Sequence, residues 1–132
     1  KENFVERVKE ITGGKGVPVV YDSIGKDTFT QSLDCLAPLG MMVSYGSASG
    51  PVPPFSLNEL ASRGSLFLTR PSLFNYAAQR SDLETMAADL FHMVETGKVK
   101  IEINQRYALK DAQQAHRDLE SRKTTGSTIL LP

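Results

Sequence analysis

A single cysteine, no net charge and no long apolar run set the first bounds on this 132-residue sequence. Cys35 has no partner for an internal disulfide, which excludes a disulfide-stapled secreted scaffold and points to a reducing compartment. Fifteen Lys and Arg balance 15 Asp and Glu, so there is no basic field to draw the chain to nucleic acid. No stretch approaches the roughly 18–20 apolar residues needed to span a bilayer, and none reads as a signal peptide. The expectation is a cytoplasmic protein with neither nucleic acid nor membrane as a partner. Histidine is scarce as well. His92 and His116 fall on separate helical patterns with Cys35 on a third, and a zinc site needs three or four ligands, so no metal site is expected. His116, beside an inward-facing Ala115, reads as a packed or half-buried histidine, and Cys35 as a core residue.

What is present is an ordinary globular mixture, 40% hydrophobic and 23% charged, of single-domain length. A chain of this size buries roughly two thirds of the surface it exposes when unfolded. Phe4, Val5, Val8 and Ile11 form a helical stripe ended by Gly13-Gly14. Val17 to Tyr21 reads as a buried strand, and Asp22 to Gly25 as a turn. Helical spacing returns from Thr28 to Leu36, a second strand runs from Met41 to Tyr45, and Gly46 to Pro54 is a loop. A short helix over Ser56 to Ser62 precedes a third strand, Ser65 to Thr69. Asp82 to Thr96 is the clearest helix. Ser81 and Glu84 suggest a capping box, Gly97 a C-terminal cap, and Leu83, Met86, Ala87, Leu90, Phe91 and Val94 share one face. Ile101, Ile103 and Tyr107 alternate along a strand. A helix over Asp111 to Lys123, turning Ala112, Ala115 and Leu119 inward, then leads to a last strand at Thr128 to Leu131.

Strands separated by helices imply parallel pairing and the α/β class. Small ligands bind beyond the carboxyl ends of such strands, which here are Asp22-Ser23, Gly46-Ser47 and Pro71-Ser72. Three motif-like runs do not carry the chemistry they suggest. Gly13-Gly14-Lys15-Gly16 lies between a helix and a strand, the reverse of a phosphate loop, so it reads as a helix cap and turn. The centre of the hydrolase-like run Gly46 to Gly50 is Ala48, not serine. The fingerprint G-x-G-x-x-G is absent, since Val19 stands where its third glycine would fall after Gly14 and Gly16. A small-residue loop at 46–50 still admits either a flat ligand against bare backbone or a plain surface turn.

The runs 13–25 (GGKGVPVVYDSIG), 32–54 (SLDCLAPLGMMVSYGSASGPVPP), 64–73 (GSLFLTRPSL) and 115–132 (AHRDLESRKTTGSTILLP) together resemble the C-terminal part of quinone oxidoreductases. These form the zinc-independent, NADPH-dependent branch of the medium-chain dehydrogenase/reductase superfamily. The resemblance covers nearly the whole chain in order. It implies a C-terminal fragment of a longer protein, which would account for a start without methionine. It also implies the latter part of a Rossmann doubly wound parallel sheet over residues 1–98, and a strand-helix-strand segment returning to the catalytic domain over 99–132.

The resemblance places Ser23 and Gly25 against the cofactor after the fourth Rossmann strand. Tyr45, Gly46, Ser47 and Ala48 then run along the nicotinamide side after the fifth, with Tyr45 where relatives often carry Phe. Pro71, Ser72 and Leu73 lie at the carboxamide end after the sixth strand, and Arg122 approaches the cofactor phosphates. The implied activity is hydride transfer from NADPH to a quinone or related electron-poor alkene, with no catalytic acid or base from this chain. A homodimer through strand 65–69 is implied too. The competing readings are an enone or enoyl reductase of the same superfamily and a non-catalytic, crystallin-like binding or structural relative.

Overall fold

The computed structural model describes residues 2–132, arranged as two compact units, one ending at Ala77 and the other running Ala78–Pro132, each described by itself. The first unit opens with helix α1, Phe4–Ile11, whose N-terminus is capped by Asn3 Oδ1 accepting the Val5 N–H at 3.1 Å. Its far end closes through Gly13 in the left-handed conformation (φ 58), with the Gly14 N–H donating to the Lys9 carbonyl at 2.7 Å. The glycine run is therefore a helix terminator, as its order relative to the strand predicts.

Strand β1, Val17–Asp22, helix α2, Phe29–Asp34, and strand β2, Leu36–Ser44, form a strand-helix-strand unit. Helix α3, Asn58–Ser62, strand β3, Phe67–Thr69, and the short helix α4, Leu73–Tyr76, complete it. The sheet order is β1-β2-β3 with both pairings parallel, so β2 is central and, among the described residues, β3 is paired by β2 alone. The expected α/β architecture is present.

Its local boundaries differ in three places, one being β3, which starts at Phe67 and not at Ser65, whose φ is 59. Leu36 belongs to β2 instead of ending α2, because Cys35 caps the helix and Leu36 pairs across the ladder with Val17. The register then jumps, Val19 facing Met41, so β2 carries a bulge in which Leu39 takes φ 61. That bulge is held where the Leu39 N–H donates to the Gly64 carbonyl at 2.8 Å. Helix α4 is absent from the sequence reading, since four residues beyond Pro71 give no periodicity to detect.

The core of this unit gathers Phe29, Leu33, Leu36, Met42 and Leu66, with Val17, Val20, Val52 and Leu60 packed around it. Met42, on the central strand, is fully enclosed. Cys35 is buried beside this core, and burial, followed by the neighbouring Asp34 charge, pushes its thiol pKa up. An unreactive core thiol is what the sequence predicts there.

In the second unit helix α5, Arg80–Glu95, precedes strand β4, Ile103–Ala108, helix α6, Ala112–Glu120, and strand β5, Ser127–Leu131. Strands β4 and β5 pair in parallel. The capping box expected at Ser81 and Glu84 does not form. The helix starts one residue before Ser81 with Gln79 as its cap, and the Glu84 carboxylate is taken by Arg80 at 2.6 Å. No residue of α5 is buried, so the expected apolar face from Leu83 to Val94 is largely open. On α6 only Ala115 is buried, while Leu119 and His116 are exposed, which corrects the inward placement of both. A two-stranded sheet is too narrow to cover two helices.

Candidate functional site

Three strands of the first unit end on the same side, and there the chain departs from regular structure. The turn after β1 is organised by Asp22, which is buried and ionised. Its Oδ1 accepts the Ile24 N–H at 2.8 Å and the Gly25 N–H at 2.9 Å. Its Oδ2 accepts the Thr28 hydroxyl at 2.8 Å and the Ser32 hydroxyl at 2.9 Å. Burial raises the carboxyl pKa, but the hydrogen bonds from Gly25, Thr28, Ser32 and Ile24 outweigh it and leave the group below the ordinary aspartate range.

The loop after β2 is laced to that turn. The N–H groups of Tyr45 and Gly46 donate to the Asp22 carbonyl at 2.9 and 3.3 Å, and those of Ala48 and Ser49 to the carbonyls of Ser23 and Ile24 at 3.1 and 2.8 Å. Lys26 returns a bond to the Gly50 carbonyl at 3.1 Å. This close lacing requires glycine at two positions. A Cβ on Gly46 would overlap the Ser23 carbonyl oxygen and lie 2.7 Å from its Cα, and a Cβ on Gly25, whose φ is 86, would lie 2.7 Å from the Gly50 carbonyl oxygen.

The structure thus brings Ser23, Gly25, Tyr45, Gly46, Ser47 and Ala48 together on one ledge. Tyr45 presents a half-exposed ring, and Ser47 and Ala48 are open to solvent. Pro71, Ser72 and Leu73 follow the end of β3, Ser72 forming the N-cap of α4 with Leu73 well exposed. Arg122 belongs to the second unit. It lies just past α6 in the left-handed conformation (φ 57), closing the helix where its N–H donates to the Leu119 carbonyl and that of Lys123 to the Asp118 carbonyl, both at 3.1 Å.

Two residues at this face escape the sequence reading. Asp22 was legible only as a strand end, because its partners Thr28 and Ser32 become partners through the fold of the turn onto α2. Arg70 reads only as the residue that follows a strand, yet its Nη1 donates to the carbonyls of Ser44 and Gly46 at 2.8 and 2.9 Å, and its Nη2 to Ser47 Oγ at 3.3 Å. Arg70 also sits at the rim of a largely apolar cleft of about 480 Å³, walled by Phe29, Val52, Pro53, Phe55 and Leu68. The rings of Phe29 and Phe55 meet there at 5.0 Å between centroids. Among the described residues no group of three or more His, Cys, Asp or Glu side chains could hold a metal ion.

A parallel sheet whose strands end in glycine-dependent loops laced into one exposed ledge is the ligand face of a Rossmann-like, dehydrogenase-type α/β unit. The chain belongs to the zinc-binding dehydrogenase family, whose model matches residues 1–130. It is 55% identical to the quinone oxidoreductase of Pseudomonas aeruginosa over 99% of its own length and 40% of that protein. Against a 2-haloacrylate reductase from a Burkholderia species it is 48% identical, over 99% of the chain and 40% of that relative. Its fold superposes on the crystal structure of Escherichia coli quinone oxidoreductase complexed with NADPH with a TM-score of 0.90 and 51% identity, covering all of this chain and 41% of that one. The chain therefore spans about 40% of the length of the curated relatives it matches.

Proposed function

We propose that the complete polypeptide carrying this chain is an NADPH-dependent quinone oxidoreductase, and that the first unit forms one wall of its cofactor site. The observation that carries this reading is the lacing of the loop after β2 onto the turn after β1, which leaves Gly46, Ser47 and Ala48 as a ledge of little more than backbone. A flat ligand can approach such a ledge closely, and the ledge costs no reorganisation because Asp22 and the inter-loop bonds already hold it. In the first unit the residues that would hold the dinucleotide are Ser23, Gly25, Tyr45 to Ala48 and Pro71 to Leu73; in the second, taken by itself, the candidate is Arg122. When bound, NADPH supplies the hydride. The residues of this chain orient the cofactor and exclude water, and none is assigned an acid or base role.

Several finer assignments belong to the same reading. Residues 1–98 form the nucleotide-binding part and 99–132 a segment that joins the catalytic domain. The reaction is zinc-independent, the protein resides in the cytoplasm, and two copies pair through strand 65–69. The similarity to a 2-haloacrylate reductase favours a second acceptor class, electron-poor alkenes other than quinones.

The test is NADPH oxidation by the full-length gene product with a simple benzoquinone and, in parallel, an activated alkene. Saturable, protein-dependent oxidation is expected. Tight NADPH binding without turnover of either acceptor would replace the enzyme by a non-catalytic binding protein, and no binding at all would remove the cofactor site.

A further inference from the structure

We infer that Arg70 is a positioning residue, bracing the backbone of the ledge from the β3 side so that the ledge meets the cofactor in one fixed geometry. This rests on the reading under Proposed function.

The need for a brace follows from where the sheet runs out. The last register pair between β2 and β3 is Val43 with Thr69. Beyond it β2 continues through Ser44 toward Gly46, while the segment after β3 reaches Pro71, which has no N–H to donate. On the β1 side the segment is secured by the N–H groups of Tyr45 and Gly46 on the Asp22 carbonyl. On the β3 side its carbonyls turn to the Arg70 guanidinium, which reaches both Ser44 and Gly46 from a single Nη1 and Ser47 Oγ from Nη2.

Among the described residues Arg70 makes no ion pair with a carboxylate, so its bonds are spent on backbone shape and not on charge neutralisation. The two terminal nitrogens of one planar guanidinium reach the carbonyls of Ser44 and Gly46 and the Ser47 hydroxyl together, in a fixed relative geometry. A lysine ammonium carries the charge but lacks that rigid fork.

The experiment uses the full-length gene product with Arg70→Lys and Arg70→Met. NADPH affinity is followed by fluorescence titration, kcat for quinone reduction is measured at saturating NADPH, and the melting temperature serves as the control. Both variants are expected to weaken NADPH binding about tenfold and to lower kcat, because a displaced ledge misplaces the ring that must deliver hydride. Lysine fails to rescue. An unchanged dissociation constant in a folded variant overturns the inference, whatever the melting temperature does. A near-normal lysine variant beside an impaired methionine variant overturns it too, and makes Arg70 a charge contact instead. If both variants fail to fold, Arg70→Gln, which can serve one carbonyl at most, is titrated in their place. An intermediate affinity supports the brace and a wild-type affinity overturns it. Wild-type protein that binds no NADPH overturns the cofactor reading and this inference together, whereas failure of the variants alone touches only Arg70.

Discussion

Ser32, on helix α2, donates its hydroxyl to Asp22 Oδ2 at 2.9 Å, and both residues are buried. This bond ties the carboxyl end of β1 to the helix that follows it, with Thr28 sharing the same oxygen. Removing the carboxylate orphans two backbone N–H groups and two hydroxyls. Asp22→Ala is therefore expected to cost several kcal/mol, at about 1–3 kcal/mol for each donor left buried and unpaired. Asp22→Asn costs less, because its amide can still accept the backbone N–H bonds while the two hydroxyls rotate to accept from its NH2. Urea unfolding of the three proteins gives the ranking, and an alanine variant as stable as the asparagine one would contradict it.

The same carboxylate makes stability fall with acid. Its folded-state pKa lies below the ordinary aspartate value, so its contribution is fully present above the unfolded value of about 3.9 and is lost as pH falls through the lower, folded one. The gap in unfolding free energy between wild type and Asp22→Asn should narrow between neutral pH and pH 3. A gap that stays constant over that range would show that the ionised form gives no advantage.

Gly46 and Gly14 separate two reasons for needing glycine. A Cβ at Gly46 runs into the Ser23 backbone, whereas at Gly14 (φ 81) nothing lies within 4 Å and only the left-handed backbone resists substitution. Gly14→Ala should cost on the order of 1 kcal/mol. Gly46→Ala should cost about 2–3 kcal/mol, because the two laced loops must separate to admit the methyl group. Thermal melts compare them directly, and equal losses would remove the steric account.

Arg122 occupies a left-handed position that glycine ordinarily fills. Arg122→Gly should therefore stabilise the cofactor-free protein by about 0.5–1 kcal/mol. In the full-length protein the same change should weaken NADPH binding roughly 10- to 150-fold if the guanidinium bonds a phosphate, at about 1.5–3 kcal/mol for a charge-assisted hydrogen bond. Stabilisation with unaltered affinity would confine this arginine to the helix terminus.

Among the described residues strand β3 is paired on one side only, and it carries the exposed Phe67 and half-open Leu68. Such an edge invites a second copy. Sedimentation at micromolar concentration should show association that Phe67→Lys reduces. A monomeric wild type at that concentration speaks against pairing through this strand.

Much of this molecule is decided within short stretches of chain. The stripe Phe4, Val5, Val8, Ile11 with Asn3 before it and Gly13 after it contains its own start, face and stop, and α1 forms between those limits. The β-branched run at Val17 to Val20 and the alternation of strands with helices likewise suffice for a parallel α/β sheet, and they place Ser23, Gly46 and Pro71 beyond its strand ends before any coordinate is known. Local patterning works here because helix caps, turns and side-chain periodicity act over a few residues.

The remainder depends on partners distant in the chain. Leu36 joins a strand against its helical spacing because Val17 is there to pair with it, and Ser81 loses its capping role because Arg80 takes Glu84 and the helix begins at Arg80, two residues before Asp82. Asp22 becomes a buried hub only when α2 folds back over it, and Arg70 becomes a brace only when β2 and β3 lie side by side and Pro71 withholds its donor. Periodicity determined the longer helices and strands and which strand ends share one side. The tertiary structure decided which side chains hold that face in shape, because a hydrogen bond between residues 24 or 26 positions apart leaves no local signature in either.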